Sequence, residues 1–221
     1  MKVMWRILFL VTAFSYPCVL YSQKSWTVEL HAGIEKSTRM PLTIYQEGFP
    51  DIRIGKADYE SRALKFPLYY DLRISKWWKE KAVQLEVIHH KFFLKNPTPE
   101  VEHFEMTHGF NAITINYGKL FRRYAWSAGA GSVLLHAENT VRGLSLPSST
   151  GFDAGRYRLT GLVIQSGIGR RIYLNGKLFV NVEFKTTWGF VKAPVVLGHA
   201  RANVLVFQLV VGPGYVLGAT E

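Results

Sequence analysis

Period-two alternation of apolar and polar side chains constrains this chain more than any motif in it. Trp26-Thr27-Val28-Glu29-Leu30-His31-Ala32-Gly33-Ile34-Glu35 puts apolar residues on even positions and polar residues or glycine on odd ones. Successive side chains of a β-strand point to opposite faces, so such a strand has one greasy face and one polar face. A soluble β-protein turns the greasy face inward. A barrel in a bilayer turns it outward and carries polar groups inside.

The alternation recurs along the chain and predicts eight strands: Ser25–Ser37, Leu64–Trp77, Ala82–Lys95, Phe104–Tyr117, Tyr124–Ala137, Tyr157–Arg171, Lys177–Val191 and Asn203–Leu217. Each reaches or exceeds the ~9–11 residues a tilted strand needs to cross hydrocarbon. The joins Trp78–Lys81, Gly118–Arg123 and Asn175-Gly176 are short, and Asn-Gly is a favoured type I′ hairpin turn. Between them lie the longer joins Thr38–Ala63, Asn96–His103, Glu138–Arg156 and Lys192–Ala202. Strict alternation of short and long joins describes an up-and-down antiparallel sheet with every tight turn at one end. Trp26, Trp77, Trp78, Tyr117, Phe121, Tyr124, Tyr173 and Tyr215 fall near that end, and Phe92, Phe93, Phe104, Trp188 and Phe190 near the other. Two aromatic belts around aliphatic centres suit the two membrane interfaces.

Residues 1–22 read as a secretory signal peptide: Lys2 and Arg6, a short apolar core from Ile7 to Phe14, and Leu20-Tyr21-Ser22 before a cleavage site at Gln23. Residues 23–221 then form one domain. Cys18, the single cysteine, lies in the leader, so the mature chain is cysteine-free, which excludes a disulfide scaffold and a thiolate metal site. The formal charge is +11; Lys2 and Arg6 leave with a leader that has no acidic residue, so the mature charge is +9. An exported basic chain meets anionic lipid or polysaccharide first, and no nucleic-acid-binding motif is present.

The alternation also assigns faces. Phe66, Leu68, Tyr70, Leu72 and Ile74 share one face of the second strand, and Tyr69, Asp71, Arg73 and Ser75 the other. Folding the second and third strands about Trp78–Lys81 brings Arg73 opposite Glu86 on the polar face, a lumen ion pair. In the fourth strand Thr107, Gly109 and Asn111 share parity with Ile113 and Ile115, which a β-bulge or a different strand boundary explains.

In strand count and join asymmetry the whole mature chain resembles the small outer-membrane β-barrels of Gram-negative bacteria, the architecture of OmpX, the OmpA membrane domain and the lipid A enzymes PagP and PagL. The resemblance is architectural. It implies an eight-stranded antiparallel transmembrane barrel in the bacterial outer membrane, with lipid and lipopolysaccharide as its surroundings.

The densest polar cluster is Glu86, His89-His90-Lys91, His103, Glu105, His108 and Asn111. Matching the third and fourth strands about Asn96-Pro97-Thr98-Pro99 puts His89 or His90 near Thr107 or His108. Matching the fourth and fifth about Gly118–Arg123 puts Ser132 near Gly109. Three readings follow: a polar lumen network; acyl hydrolysis or transfer with Ser132 as nucleophile, His108 or His90 as base and Glu86 or Glu105 orienting it; or a metal held by His90, His108 and Glu86. PagL resembles the second in using serine, histidine and glutamate on a barrel wall. Ser127-Ala128-Gly129-Ala130-Gly131-Ser132 supplies room beside the histidines. Basic residues of the long joins, Arg39, Arg53, Lys56, Arg62, Arg142, Arg156, Arg158, Lys192 and Arg201, are placed to meet lipopolysaccharide phosphates.

The leading reading is a barrel with no cofactor and a structural, surface-interaction or assembly-accessory role, since side chains fill an eight-stranded interior. A lipid A-modifying acyl hydrolase or acyltransferase is the first alternative. A soluble lipocalin-like carrier, which needs the apolar face inward, is the second.

Overall fold

A computed structural model describes residues 24–61, 69–121, 124–146 and 157–220, without the side chains of Lys24, Thr107, His108, Ala219 and Thr220. The leader and Cys18, with Phe66, Leu68, Arg62 and Arg156, lie outside the described residues. Twelve strands form one antiparallel sheet: β1 (Lys24–Ser37), β2 (Met40–Gln46), β3 (Ile52–Ala57), β4 (Tyr59–Glu60), β5 (Tyr70–Trp78), β6 (Lys81–Leu94), β7 (Val101–Phe121), β8 (Tyr124–Val141), β9 (Leu144–Ser145), β10 (Arg158–Tyr173), β11 (Leu178–Val195) and β12 (Gly198–Thr220). Eight of them, β1, β5, β6, β7, β8, β10, β11 and β12, pair in sequence, and β12 pairs back onto β1 to close the ring. These eight correspond to the eight strands that the alternation predicts.

Apolar side chains face out around the ring: Ile34 is 66% exposed, Ile115 65% and Leu209 52%, and Phe184, Val182 and Leu85 join them. A continuous band of this kind is foreign to a soluble monomer and suits lipid. Inward positions carry Thr27, Glu29, His31, Asp71, Arg73 and Glu86, all buried. That orientation is the reverse of a lipocalin-like carrier and overturns the soluble reading. Trp26, Trp78, Tyr117, Phe121, Tyr124, Trp126, Tyr173 and Tyr215 are exposed at the tight-turn end, as a girdle requires. Trp77, Phe92 and Phe104 are corrections: all three point inward, at 3%, 1% and 2% exposure.

The far half of the barrel departs further from expectation. Thr38–Ala63 holds strands as well as turns: β2 pairs with the extended start of β12, β3 pairs with β2, and β4 pairs with β6. Leu42, Ile44, Ile52 and Ile54 alternate with Thr43, Tyr45 and Arg53 and close over an apolar interior with Phe92, Phe110, Met106, Val133, Val204 and Val206. Lys192–Ala202 is a hairpin that pairs as far as Val195–Gly198, leaving Val196-Leu197 as its turn, with Leu197 at φ 61°.

Two turns also differ. Neither Asn175 nor Gly176 has the positive φ of a type I′ turn. Instead the Asn175 side-chain oxygen accepts from the backbone N–H groups of Lys177 and Leu178 at 2.9 and 2.7 Å, an Asx turn inside a wider loop. Positive φ at both central residues occurs at Arg142-Gly143, between β8 and β9.

Candidate functional site

The inward polar residues of six strands meet in one buried network. Arg73 stands opposite Glu86 because the two-residue turn Lys79-Glu80 leaves no irregularity between β5 and β6. Its Nε and Nη2 donate to Glu86 Oε1 at 3.0 and 2.7 Å, and its Nη1 and Nη2 donate to Glu183 at 2.8 and 3.0 Å. The planar guanidinium serves two carboxylates at once, a geometry an ammonium lacks.

Glu86 is the hub. Besides Arg73 it accepts from Lys185, Asn116 and Gln165, so both carboxylate oxygens are engaged. Lys185 also donates to Asp71 at 2.7 Å. Glu29 accepts from Arg171 at 2.5 Å and from Asn181 at 3.1 Å. His31 lies between Glu29 and Asp71, with one ring nitrogen 3.5 Å from the first and the other 3.2 Å from the second. Arg171 stacks over Trp77 and Phe179, with centroids 4.5 and 4.8 Å away, which explains why those two aromatics turn inward. Four carboxylates therefore face Arg73, Lys185 and Arg171, with His31 against two of them. Buried charges are tolerable only when paired and hydrogen-bonded in this way.

Glycine makes the room. A Cβ on Gly167 would lie 2.3 Å from Glu183 Oε1, and one on Gly129 would lie 2.2 Å from Asn116 Oδ1. The run Ser127–Ser132 therefore clears the network and the neighbouring backbone, not the histidines. Alternating inward glycines (129 and 131, 167 and 169) were the sequence signal for this crowded interior. Above it, Gln208 donates to Thr187 Oγ1 at 2.8 Å, and the apolar interior follows, with Phe92 and Phe110 edge to face at 4.9 Å.

Ser132 and His90 do not come together. His90 points inward, fully buried, with Nδ1 2.6 Å from Glu35 Oε2, a partner the sequence reading missed. Ser132 pairs with Ile113 and shares its outward face; its hydroxyl donates to the Gly161 carbonyl at 3.0 Å. A wall thus separates Ser132 from His90. The register differs from the expected one because Leu120 and Phe121 prolong β7, so that Phe121 pairs with Tyr124 and Gly109 with His136.

Glu105 lies far from Glu86: it pairs with Phe93 and Glu138, whereas Glu86 pairs with Thr114. His103 Nε2 is its neighbour at 3.4 Å. The irregularity in β7 falls between Glu105 and Gly109, so Asn111 keeps the parity of Ile113 and faces out, hydrogen-bonded to outward His89 at 2.8 Å. The His108 side chain lies outside the described residues. No group of three or more His, Cys, Asp or Glu among the described residues fits a metal ion.

An apolar outer band, an aromatic girdle at the tight-turn end and a charged interior define a transmembrane β-barrel of the outer-membrane type. No protein-family model and no curated protein sequence matches the chain. Among solved structures it is similar to the outer membrane protein AlkL, determined in lipid bilayers, at 14% identity and TM-score 0.50, over 94% of this chain and 99% of that one. Neisserial surface protein A is similar at 11% identity and TM-score 0.39, covering 86% and 96%. The outer membrane protease OmpT of Escherichia coli is similar at 9% identity and TM-score 0.41, covering 91% and 99%. The shared property is the fold: this chain is a small outer-membrane β-barrel.

Proposed function

We propose that this barrel is a sealed membrane protein that acts through its outer and extracellular surface, in a structural, surface-interaction or assembly-accessory role, and not as a diffusion pore. The observation that carries the reading is the network joining Glu86, Arg73, Glu183, Lys185 and Asp71 across the lumen. Eight strands leave an interior that side chains can fill, and here paired charges and an apolar core fill it. The leader delivers the chain to the envelope and is removed before Gln23. Outer-membrane lipid and lipopolysaccharide are its immediate surroundings.

Planar-bilayer recording on the refolded mature chain tests this. We expect no stepwise conductance above the bare membrane. Reproducible unitary steps from wild-type protein overturn the sealed-lumen reading.

A further inference from the structure

Outward side chains of β11, β12, β2 and β3 line up in one cross-strand row. Lys192 stands opposite Arg201, Arg201 opposite Thr43, and Thr43 opposite Arg53. Directly opposed residues of an antiparallel sheet project from the same face. Lys192, Arg201 and Arg53 are all exposed there. With strands ~4.8 Å apart, the row spans roughly 14 Å.

Its neighbours hold it in place. The Arg201 guanidinium lies 5.1 Å above the Tyr45 ring, and His199 stacks on the same ring at 5.0 Å. Arg53 meets Asp51 at 3.4 Å in an exposed pair. Among the described residues, Lys192 and Arg201 pair with no carboxylate. Like charges directly opposed across strands destabilise a sheet. Folding alone therefore gives no reason for Lys192 to face Arg201, whereas an anion held between them does.

Height selects the anion. Trp188 and Phe190, outward on the same strand and 4.7 Å apart, sit four and two residues before Lys192. At ~3.3 Å per residue on a tilted strand, Lys192 is roughly 10 and 5 Å above them. The upper of the two rings, Phe190, marks the edge of the hydrocarbon, and the polar layer beyond it is roughly 5–8 Å thick. The row thus looks sideways into the headgroup layer of the outer leaflet.

We infer that Lys192, Arg201 and Arg53 form a binding row for the phosphate groups of lipopolysaccharide in the surrounding leaflet. This rests on the surface-interaction reading above and names its partner. Arg201 and Arg53 supply forked donors to phosphate oxygens, Lys192 a point charge, and Tyr45 a flat face beside them.

The test uses the refolded mature chain in detergent, incubated with lipopolysaccharide and captured, with the retained glycolipid quantified. Lys192→Gln/Arg201→Gln/Arg53→Gln should retain about tenfold less than wild type, since each exposed charge contributes modestly. Wild type should retain chemically dephosphorylated lipopolysaccharide at the variant's level. Heparin, a soluble polyanion, should displace little at equal charge. Undiminished retention by the triple variant, retention indifferent to phosphate, or full displacement by heparin each overturns the assignment. If the triple variant fails to show the heat-dependent gel shift of a folded barrel, Arg201→Gln alone carries the test, with a severalfold loss expected and no loss overturning it. Unitary conductance with intact, phosphate-dependent retention would overturn only the sealed lumen.

Discussion

Replacing Arg73 with methionine tests the lumen network where it is most concentrated. Arg73 makes four hydrogen bonds to two buried carboxylates, and its side chain is 3% exposed. Without it, Glu29, Asp71, Glu86 and Glu183 face, among the described residues, only Lys185 and Arg171 as fixed cations, with His31 beside Glu29 and Asp71. Removing one partner of a buried ion pair costs about 3–5 kcal/mol, because the other charge stays desolvated. We therefore expect Arg73→Met to lose about that much stability. Arg73→Met/Glu183→Met removes one charge of each sign and should recover about 2 kcal/mol of the loss. Urea unfolding in phospholipid vesicles, followed by tryptophan fluorescence and the heat-dependent gel shift, measures both. A single variant within about 0.5 kcal/mol of wild type would mean that water screens the lumen as it does a surface pair, and the sealed interior would fall. A double variant no better than the single would refute the pairing itself.

Two further outcomes are expected. Gly131→Ala places a Cβ 1.9 Å from the Ile113 carbonyl oxygen and 2.7 Å from Thr114 Cα, both backbone, so β7 and β8 must part at a cost of about 1–3 kcal/mol; Gly55→Ala, with nothing within 4 Å, should unfold at the wild-type urea midpoint. Ser132→Ala should cost about 1 kcal/mol through its lost hydrogen bond to Gly161 and leave lipid A acylation unchanged by mass spectrometry; altered acylation would return Ser132 to the role of nucleophile.

The fold was legible where alternation is strict and turns are tight. From Trp78–Lys81 the β5–β6 register runs without a bulge to Arg73–Glu86, so counting residues sufficed. The same counting failed on β6–β7, where the irregularity after His90 shifts the pairing, and on β7–β8, where the strands stay paired as far as Phe121 and Tyr124. Because side chains alternate, counting by parity matters more than proximity: Ser132 and His90 lie on opposite faces of the wall, so nearness in sequence matching meant nothing for chemistry. Pro41, Gly48, Pro50 and Gly55 made residues 38–63 read as a loop, although Leu42, Ile44, Ile52 and Ile54 alternate there. Arg73's second carboxylate, Glu183, lies across the barrel, and only closure of the ring brings the two together.

Closure through β1 and β12 imposes an order on assembly. Glu29 pairs with Gly214, and Gln46 in β2 pairs with Gly198, so two early strands wait for β12, far along the chain. Until it arrives, β1 has a bare hydrogen-bonding edge and the β2–β3 hairpin has no base to stand on. A chain cut short before β12 would therefore lose the closure of its ring and the base of its β2–β3 sheet together.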